Sequence, residues 1–148
     1  MFLIQVDGCK NYSVLSEADR TQGNESSDSS YYTYDKHLVT GWYRFQGAAG
    51  DRMQDKCVLK GRCGTERPGW LNSTQPTVAE GVVTLKVCFS GPKDCCERSN
   101  IIKFKNCSSD YYVYELQRMS NYYRYCGNAG ACCKFHSFYN LAYLVQNL

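Results

Sequence analysis

A chain of 148 residues suits one domain, and ten cysteines beside two histidines and no C-x2-C spacing argue for a disulfide scaffold over a zinc site. The net charge of +3, spread among interspersed acidic and basic residues, argues against the clustered basic footprint of a nucleic-acid binder.

At the start, Met1 to Val6 (MFLIQV) is a short apolar run, below the roughly 7–15 apolar residues of a secretory signal. No stretch reaches the ~18 apolar residues of a membrane span. Residues 1–8 therefore read as a leader or linker remnant, and the chain as a module cut from a longer one. From Cys9 to Arg20, Tyr12, Leu15 and Ala18 recur at three-residue spacing, which predicts a short amphipathic helix. Thr21 to Ser30 is a polar loop, and Tyr31 to Phe45 holds β-favouring residues enough for one or two strands. The stretch from Gly41 to Leu71 contains both tryptophans and six of the twelve glycines. Its Trp42, Phe45 and Trp70, with Tyr114, are the expected structural core. Pro68, Gly69, Asn72 and Pro76 mark turns. Gly81 to Phe89 alternates Val83, Leu85 and Val87 against Thr84 and Lys86, a half-buried strand. Ile101 to Cys107 alternates Ile102, Phe104 and Asn106 against Lys103 and Lys105, a second strand with a basic outer face, and Tyr111 to Leu116 is a third. Beyond Gly127 the pattern dissolves into a tail, 128–148. The expected fold is small, disulfide-rich and mainly β, with short antiparallel strands and one short N-terminal helix; α+β is the alternative.

Cys95 and Cys96 are adjacent, and neighbours in an extended chain point to opposite faces, so each should reach a different partner. Composition goes no further, since even eight cysteines allow about 105 connectivities.

The order of several short motifs is more specific. Cys9-x-Asn11-Tyr12, Gly41-Trp42-Tyr43-Arg44-Phe45, Gly50-x-x-Met53 and Cys57-Val58 come first. Cys63-Gly64-Thr65, Pro68-Gly69-Trp70-Leu71, Pro76, Gly81-Val82, Cys88 and Cys95-Cys96 follow. Cys107, Tyr112-Val113-Tyr114-x-Leu116 and Tyr125-Cys126 close the series. Together they resemble the uromodulin-like cysteine-rich extracellular module, whose members carry eight or ten cysteines and stand beside epidermal-growth-factor-like modules. The resemblance implies a module over 9–127 with bridges Cys9–Cys107, Cys57–Cys95, Cys63–Cys126 and Cys88–Cys96. Tyr34 and Asn121 stand where many members have two further cysteines that pair with each other, so the framework has one staple fewer. Cys132 and Cys133 fall outside the family pattern.

Asn11, Asn24 and Asn72 head N-x-S/T sequons and are the candidate glycosylation sites, with Asn24 foremost because of its polar loop. A fourth, Asn106, precedes Cys107, whose expected bridge disfavours it. The resemblance implies display of N-glycans, with extracellular proteins or microbial lectins as partners. Tyrosines cluster at Tyr31-Tyr32-Thr33-Tyr34, Tyr111-Tyr112-Val113-Tyr114 and Tyr122-Tyr123-Arg124-Tyr125. Exposed rings would make sugar platforms, but strand tyrosines more often bury the ring and wet the hydroxyl.

Enzymatic readings are weaker. Tyr125 to His136 (YCGNAGACCKFH) looks like the calcium loop and histidine of secreted phospholipases A2. However, Ser137 follows where an aspartate belongs, and the loop brings no acidic ligand for a hard cation. His37 has Asp35 two residues away without a nucleophile elbow. No nucleotide or dinucleotide glycine pattern calls for a cofactor. The sequence thus points to a non-enzymatic extracellular binding or structural module of a secreted or cell-surface glycoprotein, acting in adhesion, matrix or mucosal defence. Direct carbohydrate binding by exposed tyrosines is the alternative and a degenerate hydrolase the remote one. Peptide mapping of unreduced protein is expected to recover the four implied bridges; a Cys57–Cys63 link would overturn that layout.

Overall fold

The computed structural model describes residues 4–26, 28–108 and 111–129. Its seven strands are β1 (Ser13–Leu15), β2 (Gly41–Phe45), β3 (Arg67–Leu71), β4 (Val82–Phe89), β5 (Arg98–Ser108), β6 (Tyr111–Leu116) and β7 (Tyr123–Tyr125). They form one sheet in the order β1-β2-β6-β5-β4-β3-β7. The central ladders β2–β6, β6–β5, β5–β4 and β4–β3 are antiparallel, and the marginal strands β1 and β7 join in parallel. Just past β1 and β7, Thr21 and Gly127 meet in an isolated bridge, which draws the two margins of the sheet together.

The alternation expected of β4 and β5 is present. Ile102, Phe104 and Asn106 are buried while Ile101 and Lys103 face outward. Inside the curl, Phe45, Leu71, Val87, Phe89, Phe104, Tyr114 and Tyr125 are fully buried in one cluster. A second, smaller core lies on the opposite face of β3 and β4. There Trp70, opposite Cys88 in the ladder, packs with Val58 and with cysteines of three bridges. Its indole N–H donates to the Cys95 carbonyl at 2.8 Å. The disulfides join Cys9 to Cys107, Cys57 to Cys95, Cys63 to Cys126 and Cys88 to Cys96. The vicinal pair thus diverges. In the chain-entropy picture the Cys9–Cys107 bridge, spanning 98 positions, contributes about 4–5 kcal/mol.

Several expectations need correction. The predicted helix over Cys9–Arg20 is a turn, strand β1 and a single 3-10 turn, Ala18–Arg20. Pairing of Ser13–Leu15 with β2, which sends Leu15 into the core, wins over the three-residue spacing. Pro68 and Gly69 do not make a turn but lie inside β3. Pro68 lacks a ladder N–H, yet its carbonyl accepts from the Ser90 amide, and the bare Gly69 lets the Phe89 ring lie against the backbone. Trp42 is not core: with Arg44 it faces outward from β2, while Phe45 faces in. Asp7 and Gly8, within the expected leader or linker, make contacts with the module. The Asp7 carboxylate accepts from the Cys9 amide and pairs with Lys105, and Gly8 is buried beneath Trp42. Asn128 and Ala129 continue the fold past 127, through Asn128 bonds to Asp51 and Arg52.

What holds the irregular segment between β1 and β2 is a buried ionic knot. Arg20, 3% exposed, meets the Asp35 carboxylate with two bonds of 2.9 Å and also donates to the Tyr125 carbonyl. Asp35 in turn accepts from the Tyr125 amide at 2.8 Å. Burial works against the Arg20 charge, but the hydrogen bonds it donates to Asp35 and Glu17, with their negative charges, outweigh it and raise its pKa. Asp35→Ala strands a buried guanidinium and is expected to destabilise the oxidised protein by about 3–5 kcal/mol in denaturant unfolding. Arg20→Met/Asp35→Leu is expected to recover most of that loss.

Candidate functional site

With no catalytic constellation expected, the functional question is which groups the fold leaves on the surface. Of the sequon asparagines, Asn11 and Asn72 are exposed, the Asn72 side-chain nitrogen donating weakly to Cys88 Sγ at 3.5 Å. Asn24 is half-buried, and its side-chain nitrogen donates to the Asp19 carbonyl at 3.2 Å, so the foremost sequence candidate is tied into the fold. Asn106 is buried, donates to the Pro76 carbonyl and precedes the bridged Cys107. Sequence reasoning ranks these sites by local polarity and misses the turn-like bond, five residues back along the chain, that engages Asn24.

The tyrosine clusters are divided by strand alternation. Tyr114 is fully buried, its hydroxyl accepting from the Met53 amide, and burial pushes its pKa well up. Tyr125 is buried and donates to the Gln117 carbonyl; burial pushes it up to about 12. Tyr112 stacks on Phe104. Tyr31 and Tyr122 are exposed, and Tyr122 meets the edge of Tyr34 at 5.7 Å between centroids. That aromatic contact joins Tyr34 to the neighbour of Asn121, bringing together the two positions at which, by the resemblance, many members carry a further bridge.

The outward face of β2 carries the other aromatic cluster. The Arg44 guanidinium lies 4.2 Å from the Tyr111 ring centroid and donates to the Tyr12 hydroxyl. Next to it, Trp42 lines two adjoining clefts, of about 360 and 330 Å³. Both clefts share Asn11, Gly41 and Trp42; Thr40 and Tyr43 border one, Lys103 and Glu115 the other. The Lys103–Glu115 ion pair, 3.3 Å apart, sits in register with Trp42 across β6 and β5. A third cleft, about 600 Å³, is bordered by Asn72 with Arg52, Asp55 and Gln75.

His37 is exposed, while Asp35 turns inward to Arg20, so the two make no catalytic pair. Among the described residues no group of three or more His, Cys, Asp or Glu could hold a metal ion, and no helix is long and apolar enough to cross a membrane. The phospholipase-like reading rests on Cys132, Cys133 and His136, which lie outside the described residues.

Residues 43–127 match the family model of the uromodulin-like domain. The chain is 40% identical over 124 residues to the pancreatic secretory granule membrane major glycoprotein GP2 of Canis lupus familiaris, covering 83% of this chain and 24% of that protein. Against the human GP2 it is 36% identical over 111 residues, 75% of this chain and 20% of the relative. Against uromodulin of Mus musculus it is 37% identical over 114 residues, 77% of this chain and 17% of the relative. The chain thus spans a quarter or less of the length of these proteins.

The two buried phenols have a pH consequence. Their pKa values lie above the ordinary 10.0, so the folded state holds protons that the unfolded state has lost at high pH. Stability from this source is complete below pH 10 and is expected to fall as pH rises from there through about 12, the value for Tyr125. Tyrosinate absorbance followed with circular dichroism checks it: Tyr114 and Tyr125 should ionise only as the fold is lost.

Proposed function

The chain belongs to the uromodulin-like domain family, and from that membership we propose that it is a non-enzymatic binding and structural module of a larger glycoprotein. Its compartment is secreted or extracellular. Among the described residues four disulfides close the fold, a chemistry of oxidising compartments, and its relatives include a secretory granule membrane glycoprotein. The module's role is adhesion, matrix or mucosal-defence binding through surface loops and N-glycans, with extracellular proteins or microbial lectins as partners.

The exposure of Asn11 and Asn72 on a bridged scaffold is the observation that carries this reading. A scaffold locked by covalent staples holds its surface attachments at fixed positions. That rigidity lowers the ordering cost of a multivalent partner. Asn72 follows directly on β3, whose Trp70 is clamped among the disulfides, so it is the firmer of the two anchors.

Protein secreted from glycosylating cells is expected to lose mass on glycosidase treatment, and Asn11→Gln with Asn72→Gln is expected to remove most of that shift. Lectin binding should fall with the sugar. If enzymatically deglycosylated protein instead binds a glycan array, and Tyr31→Ala with Tyr122→Ala abolishes it, the module is a direct carbohydrate receptor.

A further inference from the structure

The geometry points to a site for the protein's own sugar: an N-glycan on Asn11 folds back so that its first N-acetylglucosamine lies on Trp42. This deepens the glycan-display reading and rests on it for the occupancy of Asn11. It differs in saying that the Asn11 glycan is partly docked and works as part of the fold.

Position carries the inference. Asn11 is exposed and borders both clefts that meet at Trp42, so a sugar attached to its side chain starts inside the space to be filled. The indole is already fixed from below. A methyl group at Gly8 would come within 2.7 Å of three atoms of the indole, so the ring rests on a glycine backbone. Asp7, one residue earlier, is held by Lys105 and by the amide of Cys9, and Cys9 is bridged to Cys107. Trp42 itself pairs with Glu115 in the β2–β6 ladder. A half-buried tryptophan held this way on an outward strand face keeps apolar surface in water, which a monosaccharide can cover.

The chemistry matches on both sides. A pyranose offers an apolar face of ring C–H groups and a perimeter of hydroxyls. Indole suits the former, and the Lys103–Glu115 pair with the Thr40 hydroxyl suits the latter. The tether removes the usual association penalty, because a covalently attached sugar is present at high effective concentration. Asn72 provides an internal contrast. Its cleft is bordered by Arg52, Asp55, Ser73, Thr74 and Gln75, without an aromatic ring, and its glycan would have no such surface to lie on.

The test uses the full chain secreted from glycosylating cells, with site occupancy read by mass. Asn11→Gln is expected to lower the melting temperature by about 2–4 °C, and Thr74→Ala, which empties the Asn72 sequon while keeping the Asn72 side-chain bond to Cys88 Sγ, to leave it unchanged. Trimming the Asn11 glycan to its first N-acetylglucosamine should retain the wild-type value. In Trp42→Leu the difference between occupied and unoccupied Asn11 should vanish. In the wild-type chain, whatever the variants do, nuclear Overhauser contacts are expected between that sugar and the indole protons. An occupied Asn11 whose sugar shows no contact with Trp42 overturns this inference and leaves glycan display standing. An unoccupied Asn11 overturns both at that residue. Saturable binding of free chitobiose by Asn11→Gln, with no effect of the native glycan, would make the cleft a receptor for foreign sugar and overturn the intramolecular reading.

Discussion

A guanidinium with almost no water around it has to be answered donor by donor, and Arg20 is. Asp35 takes two of its bonds, Glu17 lies on the side that still touches solvent, and the Tyr125 carbonyl takes a further one. Because Tyr125 also gives its amide to Asp35, the pair is woven into the backbone of β7. Arg124, the residue before Tyr125, is buried as well and reaches the Cys63 carbonyl and Asp19, though its Nε finds no acceptor among the described residues. Among its described residues the region between β1 and β2 has short 3-10 turns and two isolated bridges, and these charges fix it to the far margin of the sheet. Such an arrangement favours one path of the chain over others more than it adds net stability, because desolvation offsets much of the attraction.

Covalent bridges and the ionic knot divide the work by location. Three disulfides gather on the outer face of β3 and β4 around Trp70, while the fourth ties the start of the chain to β5. Cys63, bonded to Cys126, carries a positive φ of 58°, and its carbonyl accepts from Arg124. At that point the sulfur network and the charge network share a residue. The inner core, by contrast, is ordinary apolar packing led by aromatic rings: Phe45, Phe104 and Tyr114 meet edge-on or tilted at centroid distances of 4.7–5.6 Å.

Much of the central sheet was legible in the sequence because β4, β5 and β6 are long enough for alternation to speak for itself. The bridges became legible through the order of motifs, since composition leaves the connectivity open. What escaped was local evidence overruled at a distance. Tyr12, Leu15 and Ala18 fit a helix, yet one ring joins Arg44 and Tyr111, and the leucine enters the core from an edge strand. Trp42 and Phe45 both look like core residues by size and apolarity, yet residues three apart on a strand face opposite sides, and period two over Gly41–Phe45 separates them. The polar loop around Asn24 gave no sign that its amide would be used internally. Arg20 and Asp35 carry no signal at all in sequence, being two charges fifteen positions apart whose meeting depends on the whole topology.

Both hems of the sheet, β1 and β7, are only three residues long. A strand from another molecule would find little backbone there to zip onto, and short edges of this kind are how β proteins discourage adhesion by ladder extension. Crowding many copies, or many modules, side by side therefore need not lead to fibrous stacking through main-chain bonds. Traffic between this module and its surroundings is left to rings, charges and whatever is grafted onto asparagine.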